Sequence, residues 1–95
     1  MIYVGIDVAK DKHDCFITNS DGEVLFKAFT STNNLDGFNA LYQKIKSVMD
    51  GVTKIKVGLE ATGHYSYNLL GYLIDKGLPA YVLSIRYIPI YTEKV

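Results

Sequence analysis

The first residues of the chain alternate between apolar side chains and other residues. Apolar side chains stand at every second position from Ile2 to Ile6, and the run ends at Asp7. A period of two is typical of a β-strand, in which successive side chains point to opposite faces of a sheet. A carboxylate that ends an apolar strand is badly placed for a core, so we expect Asp7 at the edge of the sheet.

A second stretch, residues 54–60, repeats this arrangement. Its apolar alternation ends at Glu60, and a turn that contains Gly63 leads into a helix. If the two strands are neighbours, Asp7 and Glu60 lie side by side, because paired strands are about 5 Å apart. Two carboxylates at that spacing repel each other unless a cation lies between them, and magnesium prefers oxygen ligands of this kind. The pattern therefore predicts a divalent-metal site at Asp7 and Glu60.

The whole pattern predicts five strands and two helices. The strands are expected at 2–7, 13–19, 23–29, 54–59 and 80–83, and the helices at 35–49 and 64–76. Asp21-Gly22 is a hairpin signal, and both helical segments carry apolar residues at spacings of three and four. A strand, a crossover helix and a strand form a parallel pair, almost always right-handed. We therefore expect an α/β fold: a mixed sheet in which an antiparallel meander is extended by two parallel strands, with helices on its faces.

Composition narrows the setting of this fold. The 95 residues, 48% of them hydrophobic, suffice for one small domain. No apolar run approaches a membrane span, no signal peptide is evident, and Cys15 is the only cysteine. These features predict a cytoplasmic protein. Ten basic and ten acidic residues leave no basic excess, which counts against strong DNA binding by this chain alone.

Two segments carry a resemblance to a known family. Gly-Ile-Asp-Val-Ala-Lys at 5–10 and Glu-Ala-Thr-Gly-His-Tyr at 60–65 resemble the first two acidic motifs of the DEDD transposases of the insertion sequence 110 family, whose N-terminal domain is similar to RuvC. The strand and helix order matches the ribonuclease H-like fold of that domain. The resemblance implies a ribonuclease H-like N-terminal transposase domain at 1–84. The apolar and aromatic residues that follow predict a separate C-terminal tail at 85–95.

The resemblance also implies a chemistry. Asp7 and Glu60 would be the first two of four acids that hold divalent metal, Mg²⁺ or Mn²⁺, for DNA strand cleavage and transfer. The family's two later aspartates and its C-terminal domain with a serine nucleophile have no counterpart here. We therefore expect an N-terminal fragment that binds metal weakly and is inactive alone. The implied partners are DNA, at insertion-sequence ends and targets, and a structured guide RNA.

Three other interpretations remain open. Actin-like ATPases and sugar kinases also begin with a strand that ends in Asp and a hairpin, but their phosphate-binding turn needs glycine where this chain has Ala9. Resolvases of the RuvC type share the fold and the acid pair, yet they also need later acids. A non-enzyme reading is a regulatory remnant that forms a homo-oligomer through its apolar tail.

Several single residues receive simpler interpretations. His13 has no acidic or cysteine partner at metal-ligand spacing, so it is interpreted as a surface residue of an edge strand. His64 is interpreted as a surface residue at a helix start, with phosphate contact as the alternative. Cys15 is expected to be buried and unreactive. The scattered tyrosines indicate packing rather than a base-stacking platform.

Overall fold

The computed structural model describes residues 1–49, 54–60 and 65–83. Its elements are β1 (Ile2–Asp7), β2 (Lys12–Asn19), β3 (Val24–Thr32), α1 (Leu35–Val48), β4 (Ile55–Glu60), α2 (Tyr67–Asp75) and β5 (Ala80–Val82). All five predicted strands and both helices are present, with boundary shifts of a few residues. The predicted tail at 85–95, and His64 with its turn, lie outside the described residues, and the division at residue 84 stays a prediction.

The strands form one mixed sheet in the order β3-β2-β1-β4-β5. β1 pairs antiparallel with β2 and parallel with β4, β2 pairs antiparallel with β3, and β4 pairs parallel with β5. The predicted meander with two parallel additions is confirmed. As a result, β1 is the central strand, and β4 lies directly beside it.

Both helices pack on the same face of the sheet. The two crossovers, β3 to β4 and β4 to β5, step in the same direction across the strand order, so two right-handed connections place both helices on one side. The buried residues of strands and helices form one core there: Ile2, Val4, Ile6, Ile17, Phe38, Leu41, Ile45, Val57, Leu59, Leu69 and Leu73. Helices were expected on the faces of the sheet; within the described residues, the opposite face carries none.

The junction between β3 and α1 is fixed by side-chain hydrogen bonds. Asn34 is the N-cap of α1, and its side-chain oxygen accepts the backbone N–H of Gly37 at 2.8 Å. The Ser31 hydroxyl donates to the Gly37 carbonyl at 3.0 Å. These bonds anchor the first turn of the helix to the end of the strand, since the first N–H groups of a helix otherwise have no partner.

Replacing Asn34 with alanine should lower the free energy of unfolding by about 1 kcal/mol, because the Gly37 N–H loses its acceptor. Chemical denaturation measures the change. Asn34→Asp, which keeps an acceptor oxygen, should retain most of the stability. Equal losses in both variants would contradict the capping role.

None of the described helices is long and apolar enough to span a membrane.

Candidate active site

The two carboxylates predicted from the sequence stand next to each other. Asp7 and Glu60 are the last residues of β1 and β4, and they are direct partners in the parallel register of these strands. Both side chains are exposed on the face opposite α1 and α2. The pairing continues one residue further, where the Val8 N–H donates to the Glu60 carbonyl at 2.8 Å. The backbone ladder therefore fixes the positions of both residues.

A third carboxylate extends this row. Asp14 on β2 is the register partner of Asp7 and is also exposed. The local pattern alone does not single out Asp14. Its neighbours His13 and Cys15 are both buried in the core, and this alternation places Asp14 on the same face as Asp7. Only the hairpin register shows that it lies opposite. The described residues contain no group of three or more acidic, histidine or cysteine side chains arranged to hold a metal ion.

His13 is a buried residue, so its interpretation as a surface histidine was wrong. Its side chain has no solvent exposure, because β2 lies between β1 and β3 and residue 13 points into the helix-covered face. Ring atom Nδ1 accepts the Ala9 N–H at 3.2 Å, and Nε2 lies 3.2 Å from Oδ1 of Asn33. Since Nδ1 is an acceptor, Nε2 carries the proton and donates to Asn33.

These contacts hold the turn that follows Asp7. Asn33 donates from its side chain to the Lys10 carbonyl and from its backbone to the Asp11 carbonyl, both at 2.8 Å. Burial lowers the pKa of His13, and this effect outweighs the hydrogen bond to Asn33 and the nearby carboxylates, which raise it. His13 is therefore neutral at pH 7, and its hydrogen bonds connect the turn after β1 to the residues that precede α1.

Cys15 behaves as predicted. It is buried, and burial raises the pKa of its thiol to about 12, with a smaller contribution from the Asp14 carboxylate. The thiolate is the reactive form of cysteine, so this thiol is unsuited to nucleophilic chemistry or metal binding.

The oxygen ligands at the carboxyl ends of β1 and β4 suit a hard divalent cation. Asp7 and Glu60 offer carboxylate oxygens side by side and open to solvent, and Mg²⁺ commonly uses one or two carboxylates while keeping several waters. With only these two ligands from the described residues, affinity would be low. The arrangement can hold and orient an ion but does not enclose it.

A groove of about 500 Å³ opens beside the carboxylates on the face opposite α1 and α2. Asp7, Asp14 and Glu60 line it together with Lys56 and with mostly apolar residues of the sheet, among them Phe16 and Leu83.

Comparison with known proteins identifies the family. A model of transposases, the DEDD group of the insertion sequence 110 type, matches residues 4–93. The chain belongs to this DEDD transposase family. The mixed sheet with two helices agrees with the RuvC-like, ribonuclease H-like fold of DEDD transposases, so the predicted fold class is confirmed. The match also favours a transposase over the ATPase reading.

One curated relative agrees with the assignment to DEDD transposases. The chain is 31% identical over 94 residues to the pilin gene-inverting protein of Moraxella lacunata, which covers 98% of this chain and 28% of that protein. This transposase-family chain thus spans little more than a quarter of that relative.

Solved structures share the fold of this transposase domain at low identity. Pelota of Archaeoglobus fulgidus matches 99% of the chain and 31% of its own length, with a TM-score of 0.57 and 14% identity. The PPX-GPPA enzyme of Aquifex aeolicus matches 87% of the chain and 36% of its own length, with a TM-score of 0.50 and 14% identity. At this identity the likeness concerns the fold alone.

Proposed function

We propose that this chain is the N-terminal, metal-binding part of a DNA transposase, with Asp7 and Glu60 as its first two metal ligands. One observation carries the proposal: Asp7 and Glu60, which stand in the two segments that resemble the acidic motifs of the family, end neighbouring central strands and are direct register partners. The family membership supports DNA as the substrate class.

The role of the two residues follows from their placement. A divalent cation, Mg²⁺ or Mn²⁺, would supply Lewis-acid stabilisation of the phosphodiester oxygens during strand cleavage. Asp7 and Glu60 would hold it at the open end of the groove. The backbone ladder fixes the two neighbouring main-chain positions from which these side chains extend.

The 95 residues alone should bind metal weakly and should not cleave DNA. Two carboxylates leave most of the coordination shell to water, and strand cleavage by a two-metal arrangement needs further ligands to set the ions about 3.5–4 Å apart. The structured RNA, self-association and cytoplasmic location stay predictions of the sequence analysis.

Manganese binding to the 95-residue chain tests the site. We expect paramagnetic broadening of NMR signals centred on residues 7 and 60, at millimolar affinity typical of few-ligand sites. In the double variant Asp7→Asn with Glu60→Gln this broadening should disappear.

A matched control is Asp75→Asn with Glu23→Gln, which makes the same charge change at two exposed positions away from the site. It should leave the broadening at residues 7 and 60 intact. Broadening centred elsewhere, or broadening that persists in the Asp7 and Glu60 double variant, would remove the metal site from this chain.

A further inference from the structure

The face of the sheet opposite α1 and α2 carries exposed apolar and aromatic side chains. Tyr3, Phe16 and Tyr81 are 41%, 48% and 54% exposed, and Leu83 is 60% exposed. All four line the groove of about 500 Å³ beside the carboxylates. Among the described residues, Tyr3 and Tyr81 thus depart from the packing role expected for the tyrosines. A contiguous apolar surface of this kind marks a place where another segment or molecule packs.

The chain itself leaves β5 on this face. The Leu83 N–H donates to the Leu59 carbonyl at 2.7 Å, which continues the pairing of β4 with β5, so Leu83 reaches the level of Glu60. Its side chain already lies over the sheet, because a Cβ atom on Gly58 would come within 2.9 Å of the Leu83 Cδ1 atom. Residues 84–95 therefore start at the groove, next to the carboxylates.

The groove carries an excess of negative charge. Its described lining contains one lysine, Lys56, and three carboxylates, which we call the acidic row: Asp7, Asp14 and Glu60. Like charges at neighbouring positions of a sheet repel each other. A segment that covers this groove should therefore bring positive charge to the acidic row and apolar side chains to the rest of the surface.

Residues 84–95 have the composition that this groove requires. Of these twelve residues, two are basic and one is acidic, and six are apolar or aromatic: Ile85, Tyr87, Ile88, Ile90, Tyr91 and Val95. Arg86 comes three residues after Leu83, about 10 Å along an extended chain. Since Leu83 lies at the level of Glu60, the guanidinium of Arg86 is within reach of the acidic row.

The length of this segment also matches the groove. Twelve extended residues span about 40 Å, at about 3.3 Å per residue. The path from β5 across β4 and β1 to β2 covers three strand spacings, about 14 Å. A return along β1 from the level of Asp7 to that of Tyr3 adds about 13 Å. The segment is therefore long enough to cross the acidic row and to cover the aromatic rings.

A second copy of the chain is a poorer occupant of the groove. Two copies that met through this face would bring six carboxylates and two lysines together, because each copy contributes three and one. A symmetric dimer places the same patch on both sides of its interface, so this excess of negative charge would stay unbalanced. A segment of the same chain also has an effective concentration of about millimolar, which favours it over a second molecule.

We infer that residues 84–95 fold back over this face of the sheet, with apolar side chains in the groove and Arg86 at the acidic row. In this position the segment limits the access of solvent and ligands to Asp7 and Glu60. The inference goes beyond the proposed function, since it holds whether or not the two carboxylates bind a metal.

The experiment uses the full 95-residue chain without metal. A soluble paramagnetic agent broadens the NMR signals of exposed groups, and Tyr67, an exposed ring on α2, supplies the reference. We expect the ring signals of Tyr3 and Phe16 to broaden less than those of Tyr67 at every protein concentration. Cross-relaxation should connect these two rings to methyl groups of residues 85–95.

Two substitutions in the segment test the contacts that hold it. Ile88→Asn removes an apolar side chain, so the ratio of covered to open molecules should fall about tenfold or more, and the broadening of Tyr3 and Phe16 should rise. Arg86→Gln should also raise this broadening and should remove most of its dependence on salt, because salt screens exposed charge pairs. Ile74→Asn is the matched control, since Ile74 is exposed on α2, away from the groove, and it should leave the broadening unchanged.

Three results would overturn the inference. If Tyr3 and Phe16 broaden as much as Tyr67, the groove is open in the full chain. If their protection is unchanged in both Ile88→Asn and Arg86→Gln, these residues do not hold the cover. If protection appears only as the protein concentration rises, a second copy is the occupant. The manganese titration tests the proposed function separately, so either proposal can fail while the other stands.

Discussion

Replacing Gly37 with alanine is expected to lower the free energy of unfolding by about 3 kcal/mol. The added Cβ atom would collide with the carbonyl oxygen of Thr32, which belongs to the backbone and cannot rotate away. To relieve the collision, the first turn of α1 would have to move from the end of β3. That movement would also loosen the cap at Asn34. Urea denaturation monitored by circular dichroism measures the loss.

The chain supplies a matched control for this substitution. Gly71 lies in the interior of α2, and a Cβ atom there would have no atom within 4 Å. Gly71→Ala should therefore raise stability by about 0.5–1 kcal/mol, because alanine loses less conformational entropy in a helix. If both variants change stability in the same direction, the close contact with the Thr32 carbonyl is not the reason why residue 37 is glycine.

Replacing His13 with leucine should lower the free energy of unfolding by about 2–4 kcal/mol. The change leaves the part-buried Ala9 N–H without its acceptor and removes the donor to Asn33 from the buried position 13, and a buried polar group without a partner costs about 1–3 kcal/mol. His13→Gln keeps one acceptor and one donor, so a smaller loss is expected. Equal losses in both variants would show that volume, not hydrogen bonding, sets the requirement at residue 13.

The same residue should give the fold a dependence on pH. The ordinary pKa of histidine is near 6.5, and burial lowers the pKa of His13 in the folded chain. Well above pH 6.5 the ring is neutral in both states and contributes no pH dependence. As the pH falls below 6.5, the unfolded chain takes up the proton first, so stability decreases until the pH reaches the folded pKa.

Comparing the unaltered chain with His13→Gln between pH 7.5 and pH 5 isolates this effect. The unaltered chain should lose more stability over that range. Identical pH profiles would mean that His13 is accessible to protons in the folded state.

The alternation of apolar residues was sufficient to predict the neighbouring positions of Asp7 and Glu60. Each carboxylate ends a strand whose buried residues are fixed by the core, and parallel strands end at the same edge of a sheet. The site position thus followed from local pattern and from a few rules of connection. Its function as a metal site stays a prediction.

The position of Asp14 and the burial of His13 depend on strand pairing, which the local sequence pattern does not determine. Asp14 lies opposite Asp7 only because of the hairpin register, which is set across a turn whose length and geometry the alternation leaves open. The error on His13 arose because its strand was taken as an edge, although the meander places β2 in the interior of the sheet. Polar residues at buried positions look like surface residues until their partners, here Ala9 and Asn33, are in place.

The exposed aromatic rings show a similar limit. Tyr3 and Phe16 fit either a packed or an open face, since both alternate with apolar core residues. Which face the helices cover depends on the direction in which both crossovers step, a property of the whole topology.

The register of β1 against β4 makes the position of the acidic residues depend on the exact length of these two strands. An insertion or deletion of one residue within either strand would turn every side chain beyond it to the opposite face. The core would then receive a carboxylate, and the acidic row would receive an isoleucine or a leucine. Length changes in these strands therefore remove fold and site together, whereas point substitutions at Asp7 or Glu60 separate them. Relatives that differ in length should carry those differences in the turns, for example between β2 and β3, and not in the two central strands.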